Sequence, residues 1–293
     1  MSVILLRGGR GSNTGKSSFD WAKMLISSGR GSNVRPPAVA GLFYPGSADE
    51  LQATVQAYLS EWPARPDAPT PKALIVPHAG YVYSGSVAAA AYRCLASADQ
   101  ITRVVLLGPS HRVPLRGLAV PSVDFFATPL GEVPIDAAGR KRLRELGLVG
   151  ISDAAHAAEH SLEVQLPFLQ AVLGEFELLP ISAGLASGSQ VCRALDAVWG
   201  GAETLIVISS DLSHYHTAAE ARVLDTRTTE LILAEDNHLS DDQACGARGI
   251  NGLMECAQRR GLRVELLDQR NSSDTAGDSS RVVGYGSYAL YEA

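Results

Sequence analysis

Three of the seven histidines stand just beyond short apolar runs that end in Pro, Gly or Ser. The runs and their histidines are residues 73–76 with His78, 103–107 with His111 and 204–208 with His214. A near-continuous apolar run of about five residues predicts a strand buried on both faces. Ligands of open α/β sheets bind beyond the carboxyl ends of such strands. Because imidazole is the commonest metal ligand and an acid or base near neutral pH, these histidines predict one shared site.

Asp211 adds a carboxylate just before His214 in the sequence. It could orient an imidazole, ligate a metal directly, or cap the next helix, since Asp is a favoured N-cap residue. Any single histidine of the set could instead bond a backbone carbonyl. His216, close behind His214, is predicted to be solvated.

Cys245 precedes a helix that is predicted to open near Gly249. A helix N-terminus lowers the pKa of a thiol and favours the thiolate, which binds metals and attacks carbon. The alternative is an inert buried cysteine, which is the interpretation that fits Cys94, Cys192 and Cys256. The chain has no CxxC pair and no evident secretory signal, which predicts reduced thiols and a cytoplasmic location.

Two further histidines, His156 and His160, are spaced so that both could lie on one face of a helix. They do not form the zinc-protease motif, in which Glu directly follows the first His. His160 is a candidate lining residue of the pocket. His238 lies in an acidic loop and is predicted to be exposed.

Strand patterns alternate with helix patterns along the chain, which predicts an α/β fold. The expected architecture is a single domain with a mainly parallel central sheet flanked by helices. Strands are predicted over residues 73–76, 104–107, 118–120, 177–179, 204–209 and 263–267, with one or two more over 282–291. Helices are predicted over 47–59, 86–95, 136–145, 161–173, 189–199, 218–234 and 249–260. Residues 34–45 are expected to be extended because their prolines forbid helix.

Composition limits the classes of partner. The 293 residues are 46% hydrophobic and 19% charged, which is ordinary for a globular protein. A net charge of −6 argues against nucleic acid or an anionic membrane surface as the main partner. No apolar stretch reaches the length of about 18 residues that a membrane span needs.

The first 33 residues differ from the rest, with six Gly, seven Ser and the pentapeptide Gly-Arg-Gly-Ser-Asn at both 9–13 and 29–33. This composition predicts a disordered or non-native extension before a domain over 34–293, with Val34 as the native start. Residues 11–17 imitate a phosphate-binding loop, but Arg10 stands where that motif needs its first glycine.

Nine blocks of sequence run in order from residue 35 towards the C-terminus. They are residues 35–45, 77–85, 108–111, 122–124, 128–130, 159–163, 209–214, 245–246 and 278–280. Together they resemble the MEMO family, known in prokaryotes as AmmeMemoRadiSam system protein B. The fold of that family is similar to class III extradiol ring-cleavage dioxygenases, which are non-haem iron enzymes.

The resemblance implies a metal pocket formed by His78, His111 and Cys245. Asp211 and His214 would lie beside the metal as catalytic residues. Further pocket residues would be His160, Tyr81 and Ser110.

One departure from the dioxygenase pattern matters: the candidate third ligand, Cys245, is a thiolate where those enzymes use a carboxylate. A softer ligand shifts preference towards copper, zinc or a differently tuned iron, so ring cleavage does not carry over. The favoured function is a metal-dependent redox enzyme acting on a small molecule or peptide, in a modification pathway with a radical-SAM protein. The alternatives are a non-catalytic metal- or peptide-binding protein, and a hydrolase using Cys245, His214 and Asp211.

Overall fold

The strands that carry the predicted site lie side by side in one sheet. The computed structural model describes residues 33–63, 65 and 68–292. Within them the strands are β1 (Val34–Arg35), β2 (Ala73–Val76), β3 (Arg103–Pro109), β4 (Leu118–Val120), β5 (Phe125–Thr128), β6 (Gly131–Pro134), β7 (Gly150–Ile151), β8 (Glu177–Ala183), β9 (Thr204–Ser209), β10 (His214–His216), β11 (Arg263–Asn271) and β12 (Val282–Tyr291). The helices are α1 (Ala48–Ser60), α2 (Tyr81–Arg93), α3 (Ala137–Glu145), α4 (Ala154–Ala157), α5 (Leu166–Leu173), α6 (Gly188–Ala197), α7 (Ala218–Leu233) and α8 (Ala247–Arg260).

Four strands in the order β2-β9-β3-β8 are parallel and form the centre of the sheet. Because β2, β9 and β3 are parallel neighbours, the segments that follow these three strands all leave from the carboxyl edge of the sheet. The prediction of an α/β domain with a parallel central sheet between helices is confirmed.

The sheet is antiparallel on both sides of this centre. β12 pairs with β2 on one side and with β11 and β10 beyond it. On the other side β4 runs antiparallel to β8 and then pairs with β7. A separate three-stranded sheet of β1, β5 and β6 was not predicted, because its strands are short and none is a continuous apolar run.

Side chains of the central strands alternate between two hydrophobic cores, as the two-residue period of a strand requires. Val104 and Leu106 belong to the core under α1, α2 and α5. Val105 and Leu107 belong to the core under α6 and α8. The helices therefore cover both faces of the sheet.

Two helices begin at other places than the sequence pattern indicates. α2 begins at Tyr81 rather than at residue 86, with Gly80 as its N-cap residue. Gly85 is inside this helix, and a Cβ there would collide with the ring of Tyr58. The predicted helix over 161–173 is a 3₁₀ turn at Glu163–Gln165 followed by α5.

The predicted N-terminal extension lies outside the described residues, apart from Asn33. The carbonyl of Asn33 accepts a hydrogen bond from the backbone N–H of Asp124 at 2.7 Å. Among the described residues, no helix has the length and apolar character needed to cross a membrane.

Candidate metal site at the carboxyl edge of the sheet

His78 leaves the carboxyl end of β2 and is buried. Its Nδ1 lies 2.9 Å from the hydroxyl of Ser209 at the end of β9. Burial, with the neighbouring His111, lowers the pKa of His78 to about 3, so this imidazole is neutral.

The tautomer of His78 follows from the partners of Ser209. The Nε2 amide of Gln165 donates to the carbonyl of Pro77 at 3.0 Å and to Ser209 Oγ at 2.9 Å. Ser209 in turn donates its single proton to the carbonyl of Ser161 at 2.6 Å. Ser209 Oγ can therefore only accept from His78, so Nδ1 carries the proton and Nε2 keeps a free lone pair.

His111 follows β3, and Glu159 holds it in a comparable way. The His111 backbone N–H donates to Glu159 Oε2 at 2.6 Å, and Nδ1 lies 2.9 Å from Oε1. Burial would raise the pKa of Glu159, but hydrogen bonds from His111 and from the Ser161 N–H lower it to about 2. An ionised carboxylate only accepts, so Nδ1 of His111 donates to Glu159, and no described residue makes a hydrogen bond to Nε2.

His160 completes a cluster of three imidazoles. Its ring stacks on His111 with centroids 4.8 Å apart and lies edge-on to His78 at 5.4 Å. Ligand nitrogens of these three residues lie within 4.8 Å of one another and could hold a metal ion. The buried Nδ1 atom of His160 makes no hydrogen bond but lies 3.3 Å from Glu159 Oε1. Burial lowers the pKa of this residue to about 4.

Cys245 lies beside His78, just before α8. Its Sγ is 3.2 Å from His78 Nε2 and 3.3 Å from the backbone N–H of Asp211. Cys245 is not part of the group within 4.8 Å that the three histidines form. Burial and the charge of Asp211 raise the pKa of the thiol, so the expected lowering by the helix N-terminus is outweighed.

Asp211 is buried and fixes the backbone at His78, whose N–H donates to Oδ1 at 2.7 Å. Its Oδ2 lies 4.0 Å from His78 Nε2. The capping alternative is wrong, because the next helix, α7, begins at Ala218 and is capped by Thr217. Burial raises the pKa of Asp211, against the lowering effect of the His78 N–H and the His214 imidazole.

The remaining predicted site residues lie in different environments. His214 is half-buried at the start of β10, paired with Val283 of β12. Tyr81 is buried in the core, and its hydroxyl donates to the carbonyl of Val164 at 2.7 Å. Ser110 lines a cavity and donates to the carbonyl of Val113 at 2.7 Å.

That cavity has a volume of about 560 Å³ and opens beside the imidazole cluster. His111, Cys245 and Ser110 form the part of its wall nearest the candidate metal residues. Leu107, Pro114, Leu115 and Leu185 are among the residues that form the rest. A small molecule could thus reach the site from this side.

His156 does not share a helical face with His160, contrary to the spacing argument. α4 ends at Ala157, so His160 lies outside it. His156 is buried against Phe126, with Nε2 lying 3.1 Å from the carbonyl of Ala119. His238 is exposed, as predicted, with 86% of its side chain accessible.

A second group that could hold a metal ion consists of Cys192, Asp196 and Cys256 on α6 and α8. The guanidinium of Arg259 contacts both Cys192 and Asp196, and Arg260 Nη2 lies 2.8 Å from Asp196 Oδ1. Two guanidinium cations already balance the single carboxylate. These contacts favour an ion-pair network between the helices at this place.

The sequence as a whole matches a known family. The model of the Memo-like protein family matches residues 35–289, a range that contains every candidate ligand described above. This chain belongs to the Memo-like family. Family membership, predicted from the sequence blocks, is therefore confirmed.

Relatives in the Memo-like family align with this chain over nearly their whole length. A MEMO1 family protein of Aquifex aeolicus (strain VF5) is 36% identical over 271 residues, covering 86% of this chain and 97% of that protein. One of Desulfurococcus amylolyticus is 32% identical and covers 88% and 99%. Among solved structures, an uncharacterized protein from Escherichia coli K12 covers 72% of this chain and 98% of that one, at 12% identity and a TM-score of 0.44. That score supports no conclusion about the fold.

Memo-like motifs also contain residues whose roles the sequence patterns did not indicate. Glu159 and Glu163 belong to a block recognised by resemblance, but no role was predicted for either. In the structure Glu159 accepts a hydrogen bond from His111, and Glu163 pairs with Arg35 of the N-terminal segment. Phe43 packs its ring on His160 with centroids 4.7 Å apart. The contacts of Gln165 and Ser209 were not predicted, because their partners are distant in sequence.

Proposed function

We propose that this Memo-like protein binds one transition-metal ion and uses it as a redox enzyme acting on a small molecule. The observation that carries the proposal is the convergence of three imidazoles, of which His78 is buried, with Cys245 Sγ 3.2 Å from His78 Nε2. The proposed ligands are His78 and His111 through Nε2, together with Cys245. His160 is the competing third ligand.

The ring nitrogens of the clustered histidines are suited to binding a cation. His78 and His111 each donate Nδ1–H to a group inside the protein, which leaves Nε2 as the atom available to a metal. Carboxylate–histidine pairs such as Glu159–His111 commonly orient metal-binding imidazoles. The buried Nδ1 of His160 makes no hydrogen bond, although Glu159 Oε1 lies 3.3 Å away, and it is a further nitrogen that a cation could bind.

The thiol of Cys245 favours the metal proposal over a cysteine hydrolase. A nucleophilic cysteine needs a thiolate, which an imidazolium partner would stabilise. Here the pKa of the thiol is raised by burial and Asp211, while burial lowers that of His78 to about 3. Both shifts oppose a thiolate–imidazolium pair, whereas a bound cation deprotonates a coordinating thiol.

A mixed imidazole and thiolate set suits iron, copper or zinc, and the first two would supply one-electron redox chemistry when bound. Asp211 would hold the His78 loop in place through the His78 N–H. His214, which is half-buried at the start of β10, is the second proposed catalytic residue. The link to a radical-SAM partner and a cytoplasmic location rests on the family resemblance and on four free cysteines.

The test is metal analysis of the full chain and of His78→Ala, His111→Ala and Cys245→Ser, with exposed His238→Ala as control. We expect the three ligand variants to retain less than about a tenth of the wild-type metal, since each removes a ligand of a structural or catalytic set. Circular dichroism should be unchanged, because the replaced side chains stand at strand ends and loops.

Oxygen consumption with catechol and thiol substrates then separates enzyme from binding protein. Turnover that is lost in His78→Ala supports the redox proposal. Bound metal without any turnover would indicate the non-catalytic alternative. Full metal content in both His78→Ala and His111→Ala would refute the ligand assignment, and full content in Cys245→Ser with loss in His160→Ala would make His160 the third ligand.

A further inference from the structure

We propose that the 560 Å³ cavity beside His111 binds an organic anion, with an apolar body and one carboxylate-like head held by Arg116. This deepens the proposed function, because it names the substrate class of the same site. The anion site is formed by the cavity wall and does not depend on the metal.

The wall of the cavity is mainly apolar. It is formed by the loop between β3 and β4, the segment after β8, and the start of α8. Its apolar members are Leu107, Pro109, Val113, Pro114, Leu115, Ala183 and Leu185. The volume lies within the range of about 300–1,000 Å³ that encloses organic ligands rather than single ions.

The charges in the wall leave one cation without a counter-ion. Arg248 donates to Asp241 Oδ2 at 2.7 Å and to the carbonyl of Ala186 at 3.1 Å, so this pair is neutral overall. Arg116 also lines the cavity and is exposed, and its guanidinium has no hydrogen bond or ion pair with any residue that the structure describes. A planar guanidinium beside an apolar surface binds carboxylates and similar oxyanions in a bidentate manner.

The backbone that carries Arg116 is already fixed. Leu185 N–H donates to the carbonyl of Leu115 at 2.8 Å, and Gly117 N–H donates to the carbonyl of Leu185 at 3.0 Å. Gly184 passes so close to the Leu115 carbonyl that no side chain would fit there. A loop that is held before the ligand arrives loses little entropy on binding.

The cavity also joins the anion site to the metal site. His111 and Cys245 lie in the same wall as Arg116. A ligand whose head is bound at Arg116 would therefore direct its other end towards the proposed metal ligands. The geometry points to an organic acid rather than a neutral molecule as the substrate.

The experiment uses two fluorescent probes on full-length, chelator-treated protein: 8-anilinonaphthalene-1-sulfonate and the neutral N-phenyl-1-naphthylamine. They share their rings and differ in the anionic group. In Arg116→Gln we expect the anionic probe to bind at least about tenfold more weakly, the loss typical of one charge-assisted contact. The neutral probe should change by less than about twofold, as expected for a surface substitution.

Arg112→Gln is the matched control, because Arg112 is an exposed arginine of the same loop outside the cavity wall. It should bind both probes as the wild type does. Val113→Trp should fill the cavity and weaken both probes.

Equal affinity of the anionic probe for wild type and Arg116→Gln would overturn the proposal. So would an equal loss in Arg112→Gln, or binding that Val113→Trp leaves intact. Metal content is measured on the same variants. Wild-type protein that contains no metal before chelator treatment, and yet discriminates the two probes through Arg116, would refute the metal proposal and leave the anion site standing.

Discussion

Two imidazoles of the site have Nδ1 committed to a hydrogen bond inside the protein, which presents Nε2 to the same space. For His78 the acceptor is a serine hydroxyl whose proton is already used, and for His111 it is an ionised carboxylate. The arrangement at His111 should be the more sensitive to substitution, because Glu159 accepts from the backbone N–H groups of His111, His160 and Ser161 at once.

Glu159→Gln should therefore weaken metal binding by about 10–100-fold, the usual cost of losing a carboxylate that orients a ligating histidine. The amide can still accept from Nδ1, but it lacks the charge that fixes the tautomer and the capacity for four acceptor contacts. Chelator-competition titration measures the affinity. Glu145→Gln, on the exposed side of α3, is the control. An unchanged affinity in Glu159→Gln would show that this carboxylate only supports the backbone.

At the scale of single residues, only some of the side chains at the site could be placed from the sequence. His78 and His111 follow buried apolar runs, so their position at the sheet edge could be derived. Glu159 could not, because its contact with His111 spans 48 residues and follows no local period. Tyr81 was assigned to the pocket from its motif, yet its side chain turns into the core.

The segment from Arg35 to Tyr44 is the element that closes the imidazole cluster from outside. Arg35 and Glu163 form a buried pair at 2.7 Å, and every oxygen of Glu163 is used by the same segment: Ala38 N–H, Val39 N–H and the Tyr44 hydroxyl all donate to it. Arg35 also donates to the carbonyls of His156 and Glu159. These contacts fix the segment so that the ring of Phe43 packs on His160.

Arg35→Met should lower the free energy of unfolding by about 3–5 kcal/mol, because it leaves Glu163 as an unpaired buried charge. Urea unfolding measures the loss. Arg222→Met is the matched control, since Arg222 pairs with Asp274 at the same 2.7 Å but with 61% of its side chain exposed. That change should cost no more than about 1 kcal/mol. Equal effects of the two substitutions would contradict the anchoring role of Glu163.

Elements were predicted best where burial alone decides them. The strands over 73–76 and 204–209 match β2 and β9 within a residue. The helix over 161–173 was predicted too long, because Glu163 and Gln165 are used for distant partners and Pro167 marks where α5 can begin. The start of α2 was missed because Gly80 caps it without a side-chain signal.

The stability of the whole molecule should depend on pH through its buried neutral histidines. Burial lowers the pKa of His156 from 6.5 to about 4. Between these values the unfolded chain takes up a proton that the native protein refuses, so stability falls as the pH falls. The contribution of His156 is at most ~3 kcal/mol, fully present above pH 6.5 and lost below about 4.

His156→Gln isolates this effect, since an amide can still donate to the Ala119 carbonyl but does not titrate. Urea unfolding of metal-free protein at several pH values should give a shallower decline for the variant between pH 6.5 and 4. His238→Gln should follow the wild type because His238 is exposed. Parallel curves for wild type and His156→Gln would show that His156 does not contribute.

For the molecule as a whole, the alternation of strands and helices was enough to predict the parallel centre of the sheet. The antiparallel borders were not predictable, because β12 pairs with β2 through contacts such as Ala73 with Leu290. Such pairings depend on the complete fold rather than on either segment. The same holds for the β1-β5-β6 sheet.

The place of β12 has a consequence for biosynthesis. β2, which carries His78, has β9 on one side and β12 on the other. While a ribosome has yet to release Val282–Tyr291, one edge of β2 is a bare row of backbone donors and acceptors. The strand that carries His78 is therefore paired on both sides only once translation has passed residue 291, long after His78 itself has been made.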